Sequence, residues 1–233
     1  MADALSYELS DRVATITIDD GKANALSHEV LDGIHQLLDR AEQEAGAVVL
    51  AGRPGRLSGG FDLAVMQGGA EGVRDLVTAG AKLILRLYDL PIPVVVACTG
   101  HAVAAGAIIL LAADVRVGTE GEFKIGLNEV AIGMPVPRFA VELARHRLTP
   151  PQLVPAVNHA HLYAPLDAVD AGYLDEVARP DDVLEVARRH ATHLVESCHG
   201  LAFRLTRQNL RGDLAARLRD GLDDDIGRFT VVT

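Results

Sequence analysis

Glu129 stands alone in the stretch GLNEVAIG (126–133), one carboxylate among glycines, an alanine and branched apolar side chains. A carboxylate drawn out of water has its charged form disfavoured and its pKa raised, which suits a general base working near neutral pH. From these residues alone two readings stay open: a loop glutamate facing solvent, or a base held in a dry pocket. Two glycine-rich turns supply groups that could answer a developing negative charge. GRLSGGFDL (55–63) follows an apolar run, and Gly59 and Gly60 let backbone approach a ligand closely because no Cβ intervenes. GHAVAAGAIILLAADVRV (100–117) follows a second apolar run. Its small residues permit a sharp entry into a buried helix whose first free N–H groups, at Ala105 and Gly106, point forward. Two such donors converging on one oxygen make an oxyanion hole, where the loss of one donor typically costs ~10²–10³ in rate. Neither turn carries a P-loop or a dinucleotide fingerprint.

Other polar residues have plainer readings. His101 reads as a partly buried structural histidine. His159 and His161 lack partners at zinc spacing, so no metal site is expected. Asp62 reads as a turn or helix-capping aspartate, and Asp114 as the end of the buried helix. Glu120 and Glu122 are candidates for a second carboxylate at the pocket mouth. The aspartate run 223–225 reads as solvated surface.

The elements that must position these groups follow from pattern. RVATITI (12–18) alternates and is β-branched, hence a strand. After the turn DDGKANAL (19–26), Ser27 caps a helix with apolar face Val30, Leu31, Ile34, Leu37, Leu38 and Ala41. AVVLAG (47–52) and PVVVACTG (93–100) are continuous apolar runs suited to strands of a parallel sheet buried on both faces. A helix is predicted over 72–90, a short strand at VRVG (115–118), short helices after Pro137, and helix throughout 181–227. Strands alternating with helices define an α/β protein.

The chain has 233 residues, 49% of them hydrophobic, and a formal net charge of -10, which disfavours nucleic-acid and anionic-membrane partners. Of the two cysteines, Cys98 sits in an apolar run and reads as a buried thiol. The opening MADALSYELS is polar, and AVAAGAIILLAA (102–113) is too short to span a bilayer. A soluble, cytoplasmic protein is expected.

In order and spacing, SGGFDL, TGHAVAAGAIILLAADVRV and FKIGLNEVAIGMPVP, together with GKANAL (21–26), resemble the crotonase (enoyl-CoA hydratase/isomerase) superfamily over residues 12–178. The resemblance implies a spiral ββα core over 1–180 and a C-terminal helical region over 181–233 used in trimerisation, as a trimer or a dimer of trimers. It implies an acyl-CoA thioester as substrate, with coenzyme A entering as part of it and no separate cofactor. Gly59 and Ala105 match the two oxyanion donors. Ala25 and the turn Gly60–Phe61–Asp62–Leu63 match the region along the coenzyme, and Lys22 and Arg56 lie near these turns as candidates for its phosphates. Hydratases of the superfamily use two glutamates. The second falls on Glu129, but the first falls on Ile108. One base suffices to move a double bond, and IGLNE resembles the matching stretch of single-glutamate enoyl-CoA isomerases. The resemblance therefore favours isomerase-like chemistry in fatty acid metabolism. A one-glutamate hydratase (a lyase) and a non-catalytic acyl-CoA binder are the alternatives.

Overall fold

The computed structural model describes residues 4–67 and 69–227. Strands β1 (Leu5–Ser10) and β2 (Val13–Ile18) form an antiparallel hairpin, closed by Asp11 and Arg12, both at positive φ. Helix α1 (His28–Glu44) begins where Ser27 Oγ accepts the Val30 N–H at 3.3 Å, and it buries the apolar face read from its spacing. The chain then repeats one device. Strands β3 (Ala47–Gly52) and β4 (Gly55–Ser58) lead to the short α2 (Leu63–Met66) and to α3 (Ala70–Asp89). Strands β5 (Val94–Cys98) and β6 (Gly100–Val103) lead to α4 (Ala105–Ala112), and β7 (Val115–Thr119) leads to β8 (Ile125–Gly126). Helix α3 begins two residues before its predicted start, since Gly69, at φ 110°, is the N-cap.

Each repeat gives its first strand to one sheet and its second to another. The large sheet has order β1-β2-β3-β5-β7-β9, parallel from β2 onward; the small parallel sheet has order β4-β6-β8. This is the ββα spiral that the resemblance implies. The small-sheet strands run to only two to four residues and contain glycine. They show no alternation, which is why they read as turns in the sequence.

Beyond β8 come α5 (Arg138–Arg147), α6 (Pro150–Asn158), α7 (Pro165–Ala171) and a last strand, β9 (Glu176–Ala178), which the sequence pattern does not reveal. The helical C-terminal region follows: α8 (Val183–Ser197), α9 (Gly200–Arg207), a π turn at Gln208–Gly212, α10 (Asp213–Asp220) and α11 (Leu222–Gly227). Its last residues, 228–233, lie outside the described residues.

Strands β3 and β5 are buried on both faces, as continuous apolar runs require. Val48, Leu50, Val94 and Val96 enter the main core with α1, α3 and α4. Val49, Ala51, Val95 and Ala97 face α8, which covers them with Val183, Val186, Ala187 and Ala191. The C-terminal helices are pinned to the core by a buried ion cluster. Asp114, just past α4, pairs with Arg207 and with Arg211 (2.8 Å), and those guanidinium groups also bond the Leu90 and Tyr88 carbonyls at 2.7 Å. Asp225, expected at a solvated surface, instead caps α5: the Arg138 and Phe139 N–H groups donate to its carboxylate at 2.9 and 3.0 Å. Asp225 lies 86 residues beyond Phe139, a separation no local pattern reports. Cys98 is buried, and both cysteines are free thiols.

Candidate active site

The GKANAL turn and the SGGFDL turn are tied into one unit. Asp20 accepts the N–H groups of Lys22, Asn24 and Ala25 at 2.7, 2.8 and 3.1 Å. Burial works against the charged Asp20 carboxylate, but these amides outweigh it and hold its pKa below the ordinary value. Asn24, fully buried and at φ 50°, reaches across with Nδ2 to the carbonyls of Ile18, Arg56 and Leu57 (2.7–3.1 Å). Its own carbonyl accepts the Ser58 hydroxyl at 2.7 Å. Asparagine tolerates this left-handed backbone better than most residues.

The second glycine-rich turn lies directly beside the first. A Cβ at Gly60 (φ 99°) would fall 3.0 Å from the Ala104 Cβ and 3.6 Å from the Ala105 nitrogen; a Cβ at Gly106 would fall 2.5 Å from the Ser58 carbonyl oxygen. Only residues without side chains allow this approach. Ala104 takes φ 52°, ψ -123°, a conformation costly for any residue with a Cβ. That kink turns the chain into α4, whose first residue, Ala105, has no helical acceptor for its N–H. The two donors do not stand alike, however. The Gly59 N–H already donates to the Ala23 carbonyl at 2.9 Å, and the Gly60 N–H to Ser58 Oγ at 3.1 Å. The Gly59 amide is therefore not open, because the GKANAL turn presents a carbonyl to it; Ala105 itself is fully buried and is not among the cavity lining.

In front of these turns lies a cavity of about 310 Å³. Its lining comprises Gly59, Phe61, Met66, Val77, Ala104, Ile108, Asn128, Glu129, Ile132, Met134, Pro137 and Phe139. Among the described residues Glu129 is the only ionisable side chain in that lining, and its residue is 6% exposed. Burial pushes its carboxyl up from 4.5 to about 7, against weaker opposing hydrogen bonds from its own and the Asn128 backbone. Its Oε2 and the neighbouring Asn128 Oδ1 are buried without a hydrogen-bond partner among the described residues. The Glu129 carbonyl accepts from Ile132 and Met134 (3.0 and 2.9 Å), which fixes the turn carrying the side chain. Ile108, 2% exposed, lines the same cavity.

The remaining candidates lie elsewhere. Of the residues matched to the coenzyme path, Phe61 lines this cavity, while Ala25, Gly60 and Asp62 are not among its described lining and belong to the adjoining turns, where Asp62 Oδ1 accepts the Ala64 N–H at 2.8 Å. Lys22 is exposed, and its carbonyl accepts Arg53 Nε at 3.0 Å; Arg56 Nε is buried without a partner. Arg53 thus joins the basic groups at this turn, which sequence spacing did not single out. His101 is structural: its Nδ1 accepts the Lys124 N–H at 3.0 Å and its ring meets Phe123 edge-on. Burial, then Arg56 and Lys124, hold its pKa down. Glu120 and Glu122 are exposed and do not line the cavity, so neither supplies a second carboxylate there. Among the described residues, no group of three or more His, Cys, Asp or Glu is placed to hold a metal ion. The apolar wall from Met66, Val77, Ile132, Met134, Pro137 and Phe139 is the part of the site that sequence reading missed, because its members come from four separate segments.

A spiral of ββα units with a lone carboxylate beside two joined backbone turns defines a crotonase-type protein. The enoyl-CoA hydratase/isomerase family model matches residues 8–232, and the chain belongs to that family. It is 32% identical over 217 residues to a putative enoyl-CoA hydratase of Thermus thermophilus, covering 90% of this chain and 84% of that one. It superposes on an enoyl-CoA hydratase/isomerase family protein of Pseudomonas syringae with TM-score 0.94 and 39% identity, over 97% and 98% of the two chains. It superposes on a Mycobacterium tuberculosis protein, described both as an enoyl-CoA isomerase and as a probable enoyl-CoA hydratase, with TM-score 0.92 and 36% identity, over 98% and 100% of the two chains.

Proposed function

We propose that this protein is an enoyl-CoA isomerase that moves a double bond from C3 to C2 with Glu129 as its one base. The observation that carries this reading is the pairing of Glu129 with Ile108 across one apolar cavity. The ionised Glu129 takes a proton from C2. The C–H electron pair becomes the second pair of the C1–C2 bond, and the carbonyl π pair moves onto the thioester oxygen, giving a dienolate that keeps the C3–C4 double bond. The Ala105 N–H, and the Gly59 N–H once it is shared with or released from Ala23, stabilise that oxygen. Protonated Glu129 then returns the same proton to C4: the C3–C4 π pair takes the proton, the C1–C2 pair becomes the C2–C3 double bond, and the oxygen pair restores the carbonyl. Nothing is gained or lost, no activated water is needed, and coenzyme A enters only as part of the substrate. A carboxyl with pKa near 7 can both take and return a proton without a large mismatch. Lys22, Arg53 and Arg56, on the turns beside Gly59, are the cations proposed to meet the coenzyme phosphates, with Ala25, Gly60, Asp62 and Leu63 along its path.

The test is direct. Purified protein is given 3-enoyl-CoA and, separately, 2-enoyl-CoA in water. Formation of 2-enoyl-CoA from the first, lost by ~10³-fold or more in Glu129→Gln, is expected. Rapid hydration of the second without double-bond migration would reject the isomerase in favour of the hydratase reading that the Thermus relative's name suggests. Tight binding with no turnover of either would leave a binder of acyl-CoA.

A further inference from the structure

Phe61 connects the cavity to α3 in an unusual way. Its ring rests directly on the backbone of that helix at Gly80: a Cβ there would lie 2.2 Å from Cε1 and 2.4 Å from Cζ. Val77 stands one turn before Gly80, on the same face of α3, and lines the cavity. Gly80 does not line it, since the Phe61 ring covers that position. The cavity therefore stops at the ring, while the helix face behind it continues. The rest of the described wall is largely apolar, from Met66, Val77, Ile132, Met134 and Phe139, with Asn128 and Glu129 as its polar side chains. Its volume of about 310 Å³ is at the low end for ligand pockets.

We infer that Phe61, propped on Gly80, is the wall that sets how long an unbranched, fully apolar acyl chain the site accepts. The inference rests on the acyl-thioester reading above and names the part of that site which selects the substrate. Its physical content is reciprocal. Phe61→Ala removes the ring and extends the cavity along α3 past Gly80. Gly80→Ala does the opposite: the new methyl group cannot coexist with the ring tip, so the ring is driven toward the cavity it lines. The alanine also favours the helix over glycine, so α3 itself is kept.

Saturated straight-chain acyl-CoA thioesters from butanoyl to hexadecanoyl are the probes, with dissociation constants measured by calorimetry. They bind without reacting, so the readout is independent of the isomerase chemistry. In the wild type, affinity should rise about fourfold per methylene until the chain meets the ring, and then level off. The break should move to longer chains in Phe61→Ala and to shorter chains in Gly80→Ala, with about tenfold weaker binding of the longest chain the wild type holds. Phe61→Leu should move the break less than alanine, and serves if Phe61→Ala does not fold. A break at the same length in all variants overturns the inference. Failure of the wild type to bind any member overturns the thioester reading and this inference with it. A break that moves as expected in a protein without isomerase turnover leaves the inference standing and removes only the reaction.

Discussion

Glu129 experiences burial as both a cost and a tool. In the folded protein its carboxyl titrates at about 7 rather than 4.5. The folded state therefore holds a proton that the unfolded chain has released across that interval, and stability falls as pH rises from about 4.5 to about 7. Above that range the full penalty, on the order of 3 kcal/mol, is present. Glu129→Gln carries no such charge. Chemical denaturation as a function of pH should show the wild type losing stability relative to Glu129→Gln across this window, and a parallel pair of curves would refute the buried-base description. The proposed isomerase chemistry runs in the other sense, because in it only the ionised form abstracts a proton. The kcat/KM for double-bond migration should rise with pH and level off above about 7. At this scale the sequence was informative where a residue's type was out of keeping with its neighbours, as for Glu129, while Ile108 stood out only against the pattern of the family it resembles. It was silent about Gly59, whose N–H is taken by Ala23 through a contact between segments 36 residues apart.

The elements exist to place two turns side by side. Helix α4 is buried along its whole length, so its orientation is fixed by packing. What turns the chain into its first residue is the strained residue before it. Ala104 holds φ 52° and ψ -123° because its N–H is bonded to the Gly126 carbonyl at 3.1 Å and its own carbonyl begins the helix. Glycine adopts that backbone without steric cost. Ala104→Gly should raise the thermal midpoint by a few degrees, equivalent to about 1 kcal/mol once the greater entropy of glycine in the unfolded chain is set against relief of strain. An unchanged or lower midpoint by calorimetry would show that the conformation carries no strain. The long helices and the buried strands were legible because burial imposes a period on their residues. The two- to four-residue strands of the small sheet were not, since they are defined by partners rather than by pattern.

At the scale of the molecule, the C-terminal helices are anchored inward and leave apolar side chains outward. Arg207 and Arg211 grip Asp114, while Leu201, Leu205 and Leu210 on the same segment are 50%, 50% and 73% exposed. We propose that these leucines meet other copies of the chain in a trimer or a dimer of trimers. Sedimentation should show the wild type as such an assembly and Leu201→Glu/Leu205→Glu/Leu210→Glu as a smaller species. A wild-type monomer would overturn the assignment. The amino-acid sequence by itself determined the α/β class and the helical C-terminal region, and through the family resemblance of its motifs it implied the ββα order and a single carboxylate paired with an aliphatic residue. Those follow from local periodicity and from motifs in fixed order. Only the tertiary structure decided that Ala23 occupies the Gly59 amide, that Asp225 caps α5, and that the acyl wall is gathered from α2, α3, the Glu129 turn and the start of α5. Each depends on which distant backbone meets which, and the free energy of those contacts comes from burial and close packing that no short stretch of sequence contains.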